Sequence, residues 1–214
     1  MNESTEVAVK RMWCDPGSGG NVDRMFRSHL FREENACVRC GTNKRELARV
    51  RAREKSGRAD ATGAMHFALI KSSDHDAKSG ARVDAMAAAK RLLDAGFWPL
   101  WEHTPGRVVV DAGDRVCVYL SGVSSVVATA RISSIEPWSR KFADAYPLIL
   151  GGAPELVLRL GEVMVLACPV AVADYVDSLD CVGKNKRKWG AAFCGGMRSL
   201  SVHDYRLLTG QTVS

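Results

Sequence analysis

Apolar and polar positions fall into a readable rhythm only beyond residue 64. Residues 66–71, His-Phe-Ala-Leu-Ile-Lys, form a short apolar run closed by a Lys-Ser pair, the pattern of a buried strand. Val83, Met86, Ala89 and Leu93 then recur at helical spacing, which predicts a helix over 82–94 that Gly96 stops. Residues 115–120 alternate, with Val116, Val118 and Leu120 on one face and Cys117 and Tyr119 on the other. Val126, Ala128, Ala130 and Ile132 alternate in the same way, and Asp111-Ala112-Gly113-Asp114 is the turn before the first of these two strands. Residues 155–166 read as one or two further strands broken near Gly161.

The end of the chain returns to helical spacing. Pro169 can open a helix whose apolar face is Val172, Tyr175, Val176 and Leu179. Ser201 is a good N-cap with Asp204 three residues on, and Leu200 and Tyr205 occupy the hydrophobic-staple positions. This order of elements excludes a doubly wound sheet, which needs alternating strand and helix units. An α+β fold fits it, with a small mixed sheet curled into a barrel and flanked by helices, and such a fold has a mouth where a flat ligand can enter.

Residues 1–64 have no comparable periodicity and carry 13 Lys or Arg against 9 Asp or Glu. The breaker cluster Asp15-Pro16-Gly17-Ser18-Gly19-Gly20 separates the residues before it from those after it. These features predict two regions: a basic, flexible extension over 1–64 and a folded domain over 65–214. Within the extension, residues 39–58 hold eight basic residues, enough for a short helix that lies against phosphates. Cys37 and Cys40 have the spacing of a zinc knuckle, but a tetrahedral site needs four ligands, and Cys14 and His29 are the only upstream candidates. The reading is therefore of a chain without a cofactor.

Across the whole chain a net charge of +6 and a pI near 9.0 favour a polyanionic partner. The N-terminus lacks the basic and apolar segments of a signal peptide and no run of 18 apolar residues occurs, so a cytoplasmic protein without a membrane span is expected. Seven cysteines are an odd number, and Cys117 and Cys168 sit in apolar runs, as core thiols in a reducing compartment do.

The chemistry that stands out is a set of flat walls and short polar groups. A nucleobase needs apolar faces above and below it and one or two groups that read its edge; stacking gives about 1–3 kcal/mol per base, enough to offset the cost of unstacking it. Trp98, Trp101 and Trp138 are the candidate walls, with core packing as their alternative role. Trp98 and Trp101 are expected on opposite sides of an extended strand, so only one should face a pocket. Lys71, Ser72, Ser73 and Asp74 close the first strand and offer hydroxyls and a carboxylate to a base edge, or else form an ordinary strand-ending turn. Tyr119 can reach the same pocket or serve as a core aromatic. Lys184, Lys186, Arg187 and Lys188 crowd four positive charges beside Trp189, a pattern suited to phosphates that also fits a solvated loop.

Residues 66–208 resemble the EVE and YTH branches of the PUA-like superfamily. The resemblance is carried by Lys71-Ser72-Ser73-Asp74, by Trp98 followed four and five residues later by Glu102 and His103, and by Trp189-Gly190 with Gly195-Gly196. It implies a PUA-like barrel and a non-enzymatic reader that holds one flipped modified base in an aromatic cage, with Trp98 as the first wall and Trp138 as the second. EVE-like features imply methylated or hydroxymethylated cytosine in DNA, whereas the YTH-like details imply methylated adenine or RNA. The related ASCH branch implies an alternative, an amidohydrolase acting on N4-acylated cytidine through Lys71, Thr104 and Glu102.

Overall fold

A computed structural model describes residues 60, 62–145, 153–184 and 186–211. The chain divides into two units, Met1–Gly57 and Arg58–Ser214, and the described residues all belong to the second. The knuckle Cys37 and Cys40 and the basic segment 39–58 lie outside the described residues.

Six strands form one mixed sheet. In chain order they are β1 (His66–Lys71), β4 (Phe97–Leu100), β5 (Arg115–Leu120), β6 (Ser125–Pro137), β7 (Leu156–Ala171) and β8 (Met197–Leu200), and the order across the sheet is β4-β7-β6-β5-β1-β8. A separate two-stranded hairpin, β2 (Asp74–His75) with β3 (Arg82–Val83), follows β1. Helices are α1 (Ala85–Asp94), α2 (Arg140–Ala145) and α3 (Val202–Thr209). β1 and β5 run parallel, and every other neighbouring pair in the sheet is antiparallel.

The two longest strands are bent by irregular pairing. Register shifts interrupt the β6–β7 ladder at Val126/Ala128, Thr129/Arg131 and Ile132/Ser134, and Glu162, beside Gly161, takes a positive φ of 50° at one of them. Such bulges raise the local twist, and the result is a curled half-barrel, a small α+β barrel-like fold. The break expected near Gly161 is thus a bulge within one strand.

Two expected elements differ. The first helix begins at Ala85, not residue 82, because Arg82 and Val83 pair with β2 and the Asp84 side chain caps the helix by accepting from the Ala87 amide. Its buried face is Ala85, Ala88, Ala89 and Leu92, while Met86 is exposed. A run of alanines carries little periodic signal, and their small size lets this helix approach the sheet closely. The helix expected from Pro169 is absent: β7 continues through Pro169, and a single 3-10 turn, Val172–Tyr175, follows. The ladder to β6 passes from Val165 to Val170, so Pro169, which has no N–H to donate, sits where no such bond is needed. Val172, Val176 and Leu179 are still buried, as their spacing predicts.

Polar groups fix the ends. Buried Asp114 accepts from the Met65 amide (2.9 Å) and the Asp111 amide (2.8 Å), joining the turn before β5 to the start of β1. Ser201 caps α3 by accepting from the Asp204 amide (3.0 Å), and Leu200 and Tyr205 are buried in one core cluster. Burial pushes the thiols of Cys117 and Cys181 up to about 12, so neither is a nucleophile at neutral pH.

Candidate functional site

A concavity opens where β1 runs out. Beyond Lys71 the chain has lost β8 on one side and β5 on the other. Ser121, the first residue after β5, still donates its amide to the Lys71 carbonyl (2.9 Å), and Gly196, just before β8, accepts from the Ile70 amide (2.8 Å). Between these two anchors lies a cavity of about 410 Å³.

Its apolar base is made by Leu92 of α1, Trp98 of β4 and Phe193, all 3% exposed or less, with Ile70 and Pro99 beside them. Trp101, half-buried, adds a second indole. Both tryptophans line the cavity, contrary to the expectation of opposite faces, because β4 ends at Leu100 and Trp101 already belongs to a turn. That turn is closed by Thr104, whose hydroxyl oxygen accepts from the Trp101 amide (3.0 Å) and whose amide donates to the Trp101 carbonyl (2.9 Å).

The polar side is the tetrapeptide singled out in the sequence. Lys71, Ser72, Ser73 and Asp74 all line the cavity, joined by Thr104 and Ser121. Lys71 Nζ donates to Asp74 Oδ2 at 2.6 Å, with side chains only 11% and 16% exposed. An acceptor and a cationic donor therefore stand side by side against an apolar wall, an arrangement able to meet the mixed donor and acceptor edge of a base.

Gly195 and Gly196 also line the cavity, both with φ of +84°. A Cβ on Gly195 would lie 3.2 Å from Pro105 Cγ, so the main chain itself packs against the 104–105 turn. Cys194 is exposed, and its thiol donates to the Gly190 carbonyl (3.4 Å).

Other sequence candidates lie elsewhere. Trp138 stacks on Phe142 (centroids 5.8 Å apart), which in turn packs on Phe97, and it does not line the cavity. Tyr119 is buried behind Phe193, ring on ring at 4.6 Å; desolvation raises its hydroxyl pKa despite a hydrogen bond involving Ser124. Glu102 and His103 are exposed and outside the lining. In the basic stretch Lys184, Arg187 and Lys188 are exposed, whereas the Lys186 ammonium donates to the Val176 (2.9 Å) and Leu179 (3.0 Å) carbonyls. The stretch leads directly into the cavity wall, since the 3-10 segment Lys186–Phe193 ends on Phe193, against which Trp189 packs edge-on.

Sequence reasoning does not select Leu92, Ser121, Phe193 or Cys194 as lining residues. The glycine pair after Phe193 is the available signal, because two adjacent glycines mark a place where backbone must approach something closely. Among the described residues no cluster of His, Cys, Asp or Glu could hold a metal ion, and no helix is long and apolar enough to cross a membrane.

No family model matches the chain, and no curated protein matches it in sequence. Among solved structures, the chain is similar to an ASCH protein from Zymomonas mobilis at 12% identity and a TM-score of 0.44, covering 70% of this chain and 96% of that one. A serine-to-alanine mutant of that protein gives 11% identity and a TM-score of 0.45, with 68% and 94% covered. The N-terminal domain of McrB from Staphylothermus marinus gives 10% and 0.35, with 69% and 94% covered. Likeness at this level bears on neither ligand nor activity.

Proposed function

We propose that this is a PUA-like domain that receives one nucleobase in the cavity at the end of β1, with nucleic acid as its partner. The observation that carries the reading is the convergence of Trp98, Trp101 and the Lys71–Asp74 pair on one cavity of about 410 Å³. That volume lies in the range of small-molecule sites, roughly 300–1,000 Å³, and the mix of flat apolar wall with a few convergent polar groups is what such sites need. Exposed Lys184, Arg187 and Lys188 add phosphate contacts that position without reading sequence. The ligand class is a modified base, methylated or hydroxymethylated cytosine first and methylated adenine second, held without chemical change. Binding to an array of DNA and RNA oligonucleotides, modified and unmodified, tests this directly; equal affinity for every modification sinks it.

A second reading has its own observation. Lys71 and Thr104, two of the three types expected of an ASCH-like amidohydrolase, line the same cavity, and Asp74 supplies a carboxylate there in place of the exposed Glu102. On N4-acetylcytidine, Asp74 would take the proton of an attacking water and Lys71 would stabilise the oxyanion. The acyl C–N4 bond would then break, with the proton passing to the departing amine, giving cytidine and acetate. Release of acetate by the wild type, lost in Asp74→Asn, would replace the reader with the hydrolase.

A further inference from the structure

We propose that the β2–β3 hairpin at the rim of the cavity is a phosphate subsite, so that the group entering the cavity is a nucleotide and not a free nucleoside or base. This rests on the nucleobase reading above and specifies its ligand.

The hairpin begins one residue after Ser73, which lines the cavity. The Arg82 guanidinium donates to the Ser73 hydroxyl at 3.4 Å, so a fork-shaped cation stands one hydrogen bond outside the wall. His75 is the residue directly opposite Arg82 in the two-stranded ladder, and both are exposed. Cross-strand partners project from the same face, so imidazole and guanidinium flank one spot.

The acids that could neutralise this spot are already committed. Asp74 is paired with Lys71 at 2.6 Å. Asp76 accepts from the Lys78 and Ser79 amides, a pattern that lowers its pKa, and it faces Arg91 at 3.8 Å. Among the described residues neither Arg82 nor Lys78 has a carboxylate partner. Asp84, two residues after Arg82, caps α1 by accepting from the Ala87 amide. Lys71, Lys78, Arg82 and Arg91 thus stand against Asp74, Asp76 and Asp84, a positive balance next to a hydroxyl and a cavity suited to a base.

The support is also rigid. The Asp76 amide donates to the Ala81 carbonyl and the Gly80 amide to the Asp76 carbonyl, both at 2.8 Å, and Gly80 takes the positive φ of 68° that the turn requires. A tightly closed hairpin fixes the main chain that carries Arg82. A guanidinium matches two oxygens of a tetrahedral anion at once, which a lysine ammonium does not.

Calorimetry on the full chain and on Arg82→Gln tests the proposal. The probes are 5-methylcytidine, N4-acetylcytidine and N6-methyladenosine, each as the nucleoside and as its 3′,5′-bisphosphate, together with inorganic phosphate. At least one bisphosphate should bind the wild type about tenfold or more tighter than its own nucleoside, the scale of a charge-assisted contact. Arg82→Gln should remove most of that advantage and leave nucleoside affinity unchanged. Equal affinity of nucleoside and bisphosphate in the wild type overturns the phosphate subsite while leaving the nucleobase reading in place. So does an advantage that survives both Arg82→Gln and His75→Ala. Arg82-dependent binding of inorganic phosphate with no nucleoside bound overturns the nucleobase reading and, with it, the assignment of a nucleotide.

Discussion

Lys71 and Asp74 form an ion pair at 2.6 Å that is part of the wall of a cavity, with each side chain more than four-fifths buried. Most exposed pairs of this kind contribute little, but one shielded by protein and aimed at a ligand couples its two members to each other and to whatever binds.

A double-mutant cycle should expose that coupling. Lys71→Ala and Asp74→Ala are each expected to weaken ligand binding, and the double variant to lose scarcely more than the worse single one. The interaction energy should fall near 1 kcal/mol or above, within the ~0.5–3 kcal/mol seen for residues in one network. Strictly additive losses, measured by titration calorimetry, would show that the two side chains act separately.

The tryptophans should part company under substitution. Trp98 is 3% exposed on β4, opposite Leu158, so Trp98→Ala opens a core cavity and should cost about 3–5 kcal/mol of stability. Trp101, half-buried in a turn, should tolerate alanine with little change in melting temperature and lose about 1–3 kcal/mol of binding. Trp101→Ala is thus the cleaner probe of stacking. An unaltered affinity for the modified base in that variant would place the stacking surface elsewhere.

Within the basic stretch the charges should also separate. Replacing Lys184, Arg187 and Lys188 by glutamine is expected to weaken modified and unmodified ligands alike and to flatten the salt dependence by up to about 0.9 in log–log slope per contact. Lys186→Gln should instead lower the melting temperature, because its ammonium donates to the Val176 and Leu179 carbonyls. A salt slope unchanged in the triple variant counts against a backbone role for this loop.

Acid stability should report on Asp60. Burial would raise its carboxyl pKa, but hydrogen bonds from Thr62 and the Ala64 amide, with His66 nearby, outweigh that and hold it below its ordinary value of 3.8. A carboxylate with a depressed folded pKa contributes stability that is fully present above the unfolded pKa and is lost as pH falls through the folded one. Asp60→Asn should therefore melt below the wild type at pH 7, and the gap should narrow below pH ~4. A gap that stays constant down to pH 2 would contradict this role for the carboxylate.

The range of each interaction decides how far it can be read from sequence. The strands at 115–120 and 126–132 and the Ser201 cap depend on neighbours a few residues away and are legible as written, whereas the place of Lys71 to Asp74 on a cavity wall depends on residues as distant as Gly196. The helix expected at 82–94 starts three residues later because Arg82 and Val83 pair with β2, and its mostly alanine buried face hides the periodicity that would mark its start. Pro169 suggests a helix start because nothing local reveals that β6 skips the residues around it. The meeting of Trp98 and Trp101 on one cavity depends on where β4 ends, and that end is set by pairing with Leu156 of β7, more than fifty residues away. Trp138 finds its partner, Phe142, only four positions on, a local contact that the cage expectation overlooks.

Gly195 and Gly196 give the cavity an asymmetry in what selection can alter. One wall is bare main chain held in a left-handed conformation against Pro105 and Thr104, where any side chain would collide or strain the backbone. The polar part of the lining, by contrast, is built from side chains at 71–74. Descendants of this chain could change their ligand by drift along one side alone, while the other stays fixed like the anvil of a vice.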